Sequence, residues 1–244
     1  MQIKWKKVKQ RTGIEASVPV SMAFDDVYYN IKDAVGESTY NFLEGCGVKK
    51  RFEQGGVIGM GEVGFGTGLN FCITLDAFLS YASMDSVLQY YTVERFPLHR
   101  DDMLKALINA YPNHGGSVNM LIKSMPDDLS NEQNVITLCD GRVILHIYNG
   151  DVNDWVQGKN IPDITLDCLY LDGFTPAKNP EMWTEKVLRK LYYKCKDNAT
   201  FATFTASSSV RRILQAVGFV VYTEKGFGYK RNRLKGKICN ENRF

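Results

Sequence analysis

The segment GMGEVGFGTGLNF, residues 59–71, constrains the fold of this chain more than any other part of the sequence. Five of its first ten residues are glycine, and glycine inside a strand or a helix lowers the stability of that element. The alternating glycines therefore belong to a loop that joins two elements. The apolar residues on either side predict a buried strand at 57–62 and a helix that begins at Leu69.

Two ligand-binding patterns fit this loop, and they place the strand and the helix differently. The dinucleotide fingerprint G-x-G-x-x-G would begin at Gly59 and leave further glycines inside the helix, each costing up to about 1 kcal/mol relative to alanine. The pattern acid-x-G-x-G-x-G would begin at Glu62, and it leaves both elements intact. This second pattern is the cofactor loop of class I methyltransferases, so we predict that it binds S-adenosyl-L-methionine.

Two acidic residues are placed to hold other parts of such a cofactor. Glu94 closes the predicted strand LQYYTVE, and its carboxylate can accept hydrogen bonds from the vicinal hydroxyls of a ribose. Asp151 follows the third strand in the sequence NGD, where it can accept a hydrogen bond from the adenine amino group. Because open α/β sheets bind ligands at the carboxyl ends of their strands, both positions predict cofactor contacts.

From residue 56 onward, apolar runs of strand length alternate with segments of helical spacing, which predicts an α/β domain with a mainly parallel sheet. The predicted strands cover residues 57–62, 87–94, 166–172, 199–205 and 219–223. We expect a single methyltransferase domain over residues 1–244. Within it, 1–55 would form an N-terminal extension and lid, and 56–244 a Rossmann-like core with a basic C-terminal tail.

Local signals predict the remaining elements. Helices are expected at 69–83, at 97–111 and from Asn179, which would cap a helix with proline at its first position. An Asp-Gly dipeptide between two apolar runs predicts an inserted β-hairpin over 135–147 that extends the sheet. Residues 112–134 are rich in Gly, Asn, Ser and Asp, which predicts an exposed loop.

The apolar strand 166–172 ends in Asp172-Gly173-Phe174, which places a carboxylate and an aromatic ring at the mouth of the predicted cofactor crevice. Methyl transfer to an amine needs an uncharged nitrogen aligned behind the sulfonium methyl. A carboxylate can accept the proton of the amine or orient its N–H groups. We therefore predict that Asp172 acts on an acceptor amine.

Composition narrows the class of protein. No apolar run reaches the roughly 20 residues of a membrane helix and no secretory signal begins the chain, so we expect a cytoplasmic protein with no membrane contact. Six cysteines and three histidines are scattered without a C-x-x-C pair, and we predict no metal.

The net charge is +3, but residues 1–11 hold five Lys/Arg and 225–244 hold seven. Such basic ends fit a polyanion such as nucleic acid.

Six motifs together resemble the methyltransferase domain of the bacterial MnmC tRNA-modifying enzymes and their stand-alone MnmD-type relatives. They are FDDVYYN (24–30), EVGFGTGLNF (62–71), VERFPL (93–98), LDGFTPAKNPEMW (171–183), ATFTASSSVRR (202–212) and KGFGYKR (225–231). The resemblance implies a Rossmann-like class I fold with S-adenosyl-L-methionine as cofactor. It also implies methylation of the primary amine of 5-aminomethyl-2-thiouridine at the tRNA wobble position.

The resemblance also assigns roles to residues of this chain. The implied cofactor-binding residues are Glu62, Gly64, Phe65, Gly66, Gly68, Glu94 and Asp151, with Tyr28 and Asp25 placed over the active site. The implied catalytic residues are Asp172, which handles the amine, and Phe174, which shapes its pocket. The predicted RNA contacts are Lys178, Arg211, Arg212, Lys230, Arg231 and Arg233. Bifunctional relatives carry a flavin-dependent domain that makes the aminomethyl precursor, so we expect this chain to depend on a separate enzyme for it.

Three departures from the family and two rival functions stay open. Ser208, Ser209 and Arg233 stand where relatives often have small or apolar residues, which leaves the fine substrate preference undecided. A small-molecule amine transferase resembling spermidine synthase would also use a carboxylate near an amine, although the basic ends disfavour a polyamine cation. A non-catalytic RNA-binding relative would have no use for the intact glycines and Asp172.

Overall fold

The computed structural model describes residues 3–9, 15–158, 160–163 and 165–239. Its strands are β1 (Ile3–Lys9), β2 (Glu15–Ser21), β3 (Asp26–Val27), β4 (Val57–Val63), β5 (Val87–Glu94), β6 (Gln133–Leu138), β7 (Val143–Asn149), β8 (Leu166–Leu171), β9 (Cys195–Thr203), β10 (Phe219–Lys225) and β11 (Asn232–Ile238). Its α-helices are α1 (Ala34–Ser38), α2 (Val48–Gln54), α3 (Leu69–Tyr81), α4 (Arg100–Ala110), α5 (Ser117–Ser124), α6 (Val152–Trp155), α7 (Glu185–Lys194) and α8 (Ser208–Ala216). A π-helical segment, Thr39–Glu44, continues α1, and a 3₁₀ turn, Pro180–Trp183, precedes α7.

The large sheet has eight strands in the order β10-β11-β9-β8-β4-β5-β7-β6. Its five central strands, from β9 to β7, are parallel, whereas β6 and β11 run antiparallel to their neighbours. The predicted α/β class, with a mainly parallel sheet and a β6–β7 hairpin that extends it, is confirmed. The chain passes from β4 to β5 on one side and returns to β8 on the other. Such a switch point is where open α/β sheets bind ligands.

Two hydrophobic cores lie on opposite faces of this sheet. In β8, Cys168 and Tyr170 belong to one core, and Leu169 and Leu171 belong to the other. Buried residues of α2, α3 and α5 join the first core, and those of α6, α7 and α8 join the second. Because both faces are covered, β4 and β8 at the centre are largely apolar, which is the pattern that identified them in the sequence.

The N-terminal strands form a separate antiparallel sheet in the order β1-β2-β3. Two hydrogen bonds anchor this region on α4: Asn109 Nδ2 donates to the Ser17 carbonyl at 3.1 Å, and the Tyr29 hydroxyl donates to the Ala106 carbonyl at 3.1 Å. Parts of the expected N-terminal extension and C-terminal tail, residues 1–2, 10–14 and 240–244, lie outside the described residues.

Two helices begin later than the sequence predicted. The helix expected at 97–111 begins at Arg100. The helix expected from Asn179 begins at Glu185, because the side chain of Thr184 accepts a hydrogen bond from the first turn and caps it. Asn179 and the proline after it open only the short 3₁₀ turn. The Asn-Pro pair thus marks the start of a 3₁₀ turn and not the start of the predicted α-helix.

The predicted exposed loop 112–134 was wrong in its middle, where α5 lies. Val118 and Leu121 are fully buried in the first core. These residues are three positions apart, so they share one face of a short helix, and Asn119, Lys123 and Ser124 are its exposed positions.

The basic C-terminal segment is not a free tail over 232–238, because β11 lies between β9 and β10. Leu234, Gly236 and Ile238 are buried and alternate with more exposed residues, as in a half-buried strand. Arg233 is only 3% exposed; its guanidinium donates to the Tyr40 carbonyl and pairs with Glu224 at 3.0 Å. The prediction that Arg233 contacts RNA was therefore wrong, since its side chain is held inside the protein.

Candidate active site

A cavity of about 500 Å³ lies at the carboxyl ends of β4, β5 and β8. Each of these strands delivers a predicted site residue to its wall: Gly64 after β4, Glu94 at the end of β5 and Asp172 after β8. Residues of the N-terminal region, from Phe24 to Phe42, line the opposite side. The topology thus brings the predicted cofactor and acceptor residues to one place.

The glycine loop joins β4 to α3 through backbone conformations that only glycine adopts readily. Gly64, Gly66 and Gly68 have φ angles of 92°, 54° and 80°. A Cβ atom on Gly66 would lie 3.2 Å from the Tyr28 ring, so the loop also lacks room for a side chain there. Phe65 is buried in the first core and fixes the loop from below.

Glu94 holds the glycine loop from the neighbouring strand. Its two carboxylate oxygens accept hydrogen bonds from the backbone N–H groups of Gly66 and Phe96, each at 2.8 Å. Burial raises the pKa of this carboxyl group, and these N–H groups oppose the rise. A carboxylate has about four lone-pair sites, so Glu94 keeps acceptor capacity toward the cavity that it lines.

Asn70, which the sequence analysis did not select, joins two carboxylates behind the loop. Its Nδ2 lies 2.8 Å from Glu62 Oε1 and 2.8 Å from Asp172 Oδ2. Its Oδ1 accepts a hydrogen bond from Ser38 Oγ. Glu62 is 1% exposed, and burial followed by the nearby Asp172 charge raises its pKa well above the ordinary value. Glu62 does not line the cavity, and its contact with a lining residue is the hydrogen bond from Asn70.

Asp172 lines the cavity, and its carboxyl group has an unusually high pKa. Burial raises its pKa to about 6, although the Gly173 N–H and the Asn70 amide both favour the ionised form. A carboxyl group with this pKa is ionised at neutral pH and is a stronger base than an ordinary aspartate. Perturbed acids inside a cavity are typical of functional sites.

Three aromatic rings stand beside Asp172. Phe174 stacks on Phe24 with ring centroids 4.5 Å apart and meets Tyr28 edge to face at 5.5 Å. All three line the cavity. Burial, followed by the Glu94 charge, raises the pKa of Tyr28, so its hydroxyl stays protonated. These rings form an apolar wall that can hold a flat ligand and limit water near the carboxylate.

Asp151 lines the cavity at the start of α6. Its Oδ1 accepts a hydrogen bond from the Asn153 N–H at 2.8 Å, and its Oδ2 pairs with Arg95 at 3.1 Å. Arg95 also lies 3.4 Å from Glu181. Asp25 does not lie among the lining residues; it is exposed, and its carbonyl accepts a hydrogen bond from Lys178.

Glu37 is a further carboxylate of the cavity lining, and sequence reasoning missed it. It lies on α1, its side chain is 13% exposed, and Lys230 Nζ lies 2.6 Å from its Oε1. The charges of both residues act on Asp172, where Glu37 raises the pKa and Lys230 lowers it. No local pattern marks Glu37, whereas Asn70 follows the glycine loop directly and could have been found from that position.

The predicted RNA contacts are divided by their surroundings. Arg211, Arg212 and Arg231 are exposed. Lys178 pairs with Asp26 at 3.4 Å, and Lys230 pairs with Glu37 inside the cavity.

Within the described ranges, no group of three His, Cys, Asp or Glu side chains could hold a metal ion. No helix in that part of the chain is long and apolar enough to cross a membrane.

Comparison with known proteins agrees with this geometry. A family described as S-adenosyl-L-methionine-dependent methyltransferase matches residues 112–238. The chain is 38% identical to the tRNA 5-methylaminomethyl-2-thiouridine biosynthesis bifunctional protein MnmC of Aeromonas hydrophila, over 91% of this chain and 34% of that protein. The MnmC protein of Idiomarina loihiensis is also 38% identical, over 91% of this chain and 37% of its own length. The chain thus spans about a third of these relatives.

Solved structures show the same fold. MnmC2 from Aquifex aeolicus matches 97% of this chain and 71% of its own, with a TM-score of 0.78 and 19% identity. Spermidine synthase from Thermotoga maritima matches at a TM-score of 0.53 with 11% identity, which reflects a shared fold alone. The resemblance to the methyltransferase domain of MnmC is confirmed. The chain belongs to the S-adenosyl-L-methionine-dependent methyltransferase family.

Proposed function

We propose that this protein methylates the primary amine of 5-aminomethyl-2-thiouridine at the wobble position of tRNA. The observation that carries the proposal is Asp172, a carboxylate with a pKa of about 6 in the same cavity as the glycine loop. The substrate class comes from the relatives, which are named for tRNA 5-methylaminomethyl-2-thiouridine biosynthesis.

The residues at the other end fit S-adenosyl-L-methionine. Gly64 and Gly66 leave backbone space that a side chain would fill, Glu94 keeps free lone pairs for ribose hydroxyls, and Asp151 can accept from the adenine amino group. Tyr28 packs over Gly66 and closes the loop from above. When bound, the cofactor supplies an electrophilic methyl group on its sulfonium sulfur.

Asp172 carries the proton chemistry of the acceptor in this proposal. It orients the amine through its N–H groups and accepts the proton that the nitrogen must lose when its lone pair is used for the new N–C bond. Because the pKa of Asp172 lies just below neutral pH, the carboxylate is ionised before the reaction and can return the proton to water afterwards. Phe174 and its neighbouring rings hold the base and limit water.

We further propose that residues 1–244 act as one domain, with 1–55 as the lid, and that exposed cations bind the tRNA. Arg211, Arg212 and Arg231 have no carboxylate within 4 Å among the described residues, so their charges are available to phosphates. Lys178 and Lys230 would exchange their carboxylate partners for RNA.

A tRNA substrate would place the reaction in the cytoplasm. We expect an activity outside residues 1–244 to supply the aminomethyl group.

The test is transfer of a labelled methyl group from S-adenosyl-L-methionine to tRNA from a strain that lacks this modification, followed by nucleoside analysis. We expect label in 5-methylaminomethyl-2-thiouridine with the natural protein and none with Asp172→Asn, which should keep cofactor affinity within a few fold. Label in a different nucleoside would overturn the proposed acceptor. Full activity of Asp172→Asn would overturn the role of the carboxylate.

A small-molecule amine transferase is the second candidate, because two carboxylates line one end of the cavity. The observation against a free polyamine is that Lys230 already neutralises Glu37 at 2.6 Å. The same assay with spermidine or putrescine in place of tRNA separates the two candidates. Methylated polyamine without methylated tRNA would favour the second one.

A further inference from the structure

Asn41 is a buried asparagine whose side-chain amide has no partner within the described protein. The residue is 2% exposed, and none of the described groups makes a hydrogen bond to its amide. Asn41 lines the cavity at the same time. The buried Asn70 and Asn134, by contrast, both have hydrogen-bonded amides. A side-chain amide that lines a cavity and makes no hydrogen bond to the described protein is suited to a ligand.

The backbone around Asn41 is the π-helical segment Thr39–Glu44. Segments of this kind are rare and occur frequently at functional sites. Together with the end of α1, this segment presents three polar residues to one cavity: Glu37, Ser38 and Asn41. The unusual helix and the unpaired amide are independent observations that mark the same position.

Hydrogen bonds tie this segment to the proposed acceptor site. Ser38 Oγ donates to Asn70, and Asn70 Nδ2 lies 2.8 Å from Asp172. Asn41 follows Ser38 by three residues, which is roughly one helical turn or about 5 Å along the segment. Asn41 therefore lies toward the acceptor end of the cavity, about one turn from Ser38, whose hydroxyl donates to the Asn70 side chain that holds Asp172.

We infer that Asn41 binds the pyrimidine ring of the acceptor nucleoside through its Watson–Crick edge, an inference that rests on the proposed function. A 5-aminomethyl uridine carries its amine a few covalent bonds from O4 and N3–H. When the amine lies on Asp172, this edge faces the part of the cavity that Asn41 lines. The amide N–H of Asn41 donates to O4 and its carbonyl oxygen accepts from N3–H, which satisfies both halves of the side chain.

This role predicts an unusual combination of effects for Asn41→Leu, which replaces the amide by an apolar group of similar shape. The Tm of the free protein should change little, because the substitution removes no hydrogen bond within the described protein and leucine has a similar volume. The KM for tRNA should rise at least tenfold, while the Kd of S-adenosyl-L-methionine stays within twofold. A residue that only stabilises the fold would show the opposite pattern.

Asn134→Leu is the matched control. Asn134 is a buried asparagine on β6, and its Nδ2 donates to the Asn131 carbonyl at 2.8 Å. We expect its replacement to lower the Tm and to leave the KM for tRNA unchanged. Asn41→Asp is the second variant, because a carboxylate of the same size cannot donate to O4 and should also raise the KM.

The inference is overturned if either Asn41 variant keeps the natural KM for tRNA, or if Asn41→Leu lowers the Tm as Asn134→Leu does. Failure of the proposed function gives a different result. In that case the natural protein itself transfers no methyl group to tRNA, and the inference is rejected together with the proposed acceptor.

Discussion

One amide side chain connects the two carboxylates of the site. Asn70 gives one N–H to Glu62 and the other to Asp172, and Ser38 fixes its orientation through the amide oxygen. Two buried carboxylates repel each other, which contributes to the raised pKa of Glu62. Asn70 therefore allows Asp172 to be ionised in a place where burial alone would favour the neutral acid.

We expect a pH dependence that follows from this arrangement. Asp172 must be ionised to accept a proton, so kcat/KM for tRNA should fall as the pH drops below about 6, the pKa of its carboxyl group. Asn70→Ala removes a hydrogen bond that favours the ionised form and should move this limb to higher pH. The check is the pH profile of both proteins between pH 5 and 9, in a range where each stays folded. An unshifted limb in Asn70→Ala would contradict the coupling.

At the scale of elements, the glycine loop is the part of the site that sequence patterns predict best. Its alternating glycines, the strand before it and the helix after it are neighbours in the chain, so local rules apply. Glu37 and Asn41 were missed because their meaning depends on tertiary contacts with residues far away in the sequence. β11 was missed although its apolar residues alternate, because lysine and arginine dominate the segment.

The loop makes a prediction for Gly66→Ala. A Cβ atom at this position would press on the Tyr28 ring at 3.2 Å and force a non-glycine residue to adopt a φ of 54°. We expect the affinity for S-adenosyl-L-methionine, measured by calorimetry, to fall at least tenfold. Gly47→Ala is the control, since Gly47 has a φ of 64° and no atom within 4 Å of its added Cβ. It should lose about 1–2 kcal/mol of stability through strain, with unchanged affinity.

Two arginines at the start of β11 have different surroundings, although they stand two positions apart in the sequence. Arg233 is buried with Glu224 and the Tyr40 carbonyl, whereas Arg231 is exposed. We expect Arg233→Ala to destabilise the fold by about 1–3 kcal/mol because buried hydrogen bonds are lost. Arg231→Ala should instead keep the Tm and weaken tRNA binding, with a salt slope smaller by about 1. Denaturant unfolding and binding titrations at several salt concentrations decide between these roles.

At the scale of the whole molecule, the small N-terminal sheet carries exposed positive charge near the cavity. β1 is the outer strand of the small sheet, and β3, which lines the cavity, is the strand at its other edge. Two strand spacings, roughly 10 Å, separate them. Lys4 and Lys6 are exposed and lie on the same side of β1 because side chains alternate along a strand. RNA with one nucleoside in the cavity would pass within reach of them.

We therefore expect the double substitution of Lys4 and Lys6 by glutamine to reduce the salt slope of tRNA binding by up to about 2, with kcat unchanged at saturating tRNA. The control is the same change at Lys186 and Lys190, which are exposed on α7. That control removes equal charge and should leave the slope unaltered. Equal effects of both variants would mean that only net charge matters.

The position of β11 between β9 and β10 also affects how the sheet folds during synthesis of the chain. During synthesis β10 emerges before β11, so it cannot pair with the sheet until the later strand has arrived. Until then β9 presents an open edge, and unpaired edges favour aggregation. At 5 to 20 residues per second, synthesis of residues 226–238 takes roughly 1 to 3 seconds. Slow translation of residues 226–238 should therefore lower the yield of folded enzyme more than an equal pause elsewhere.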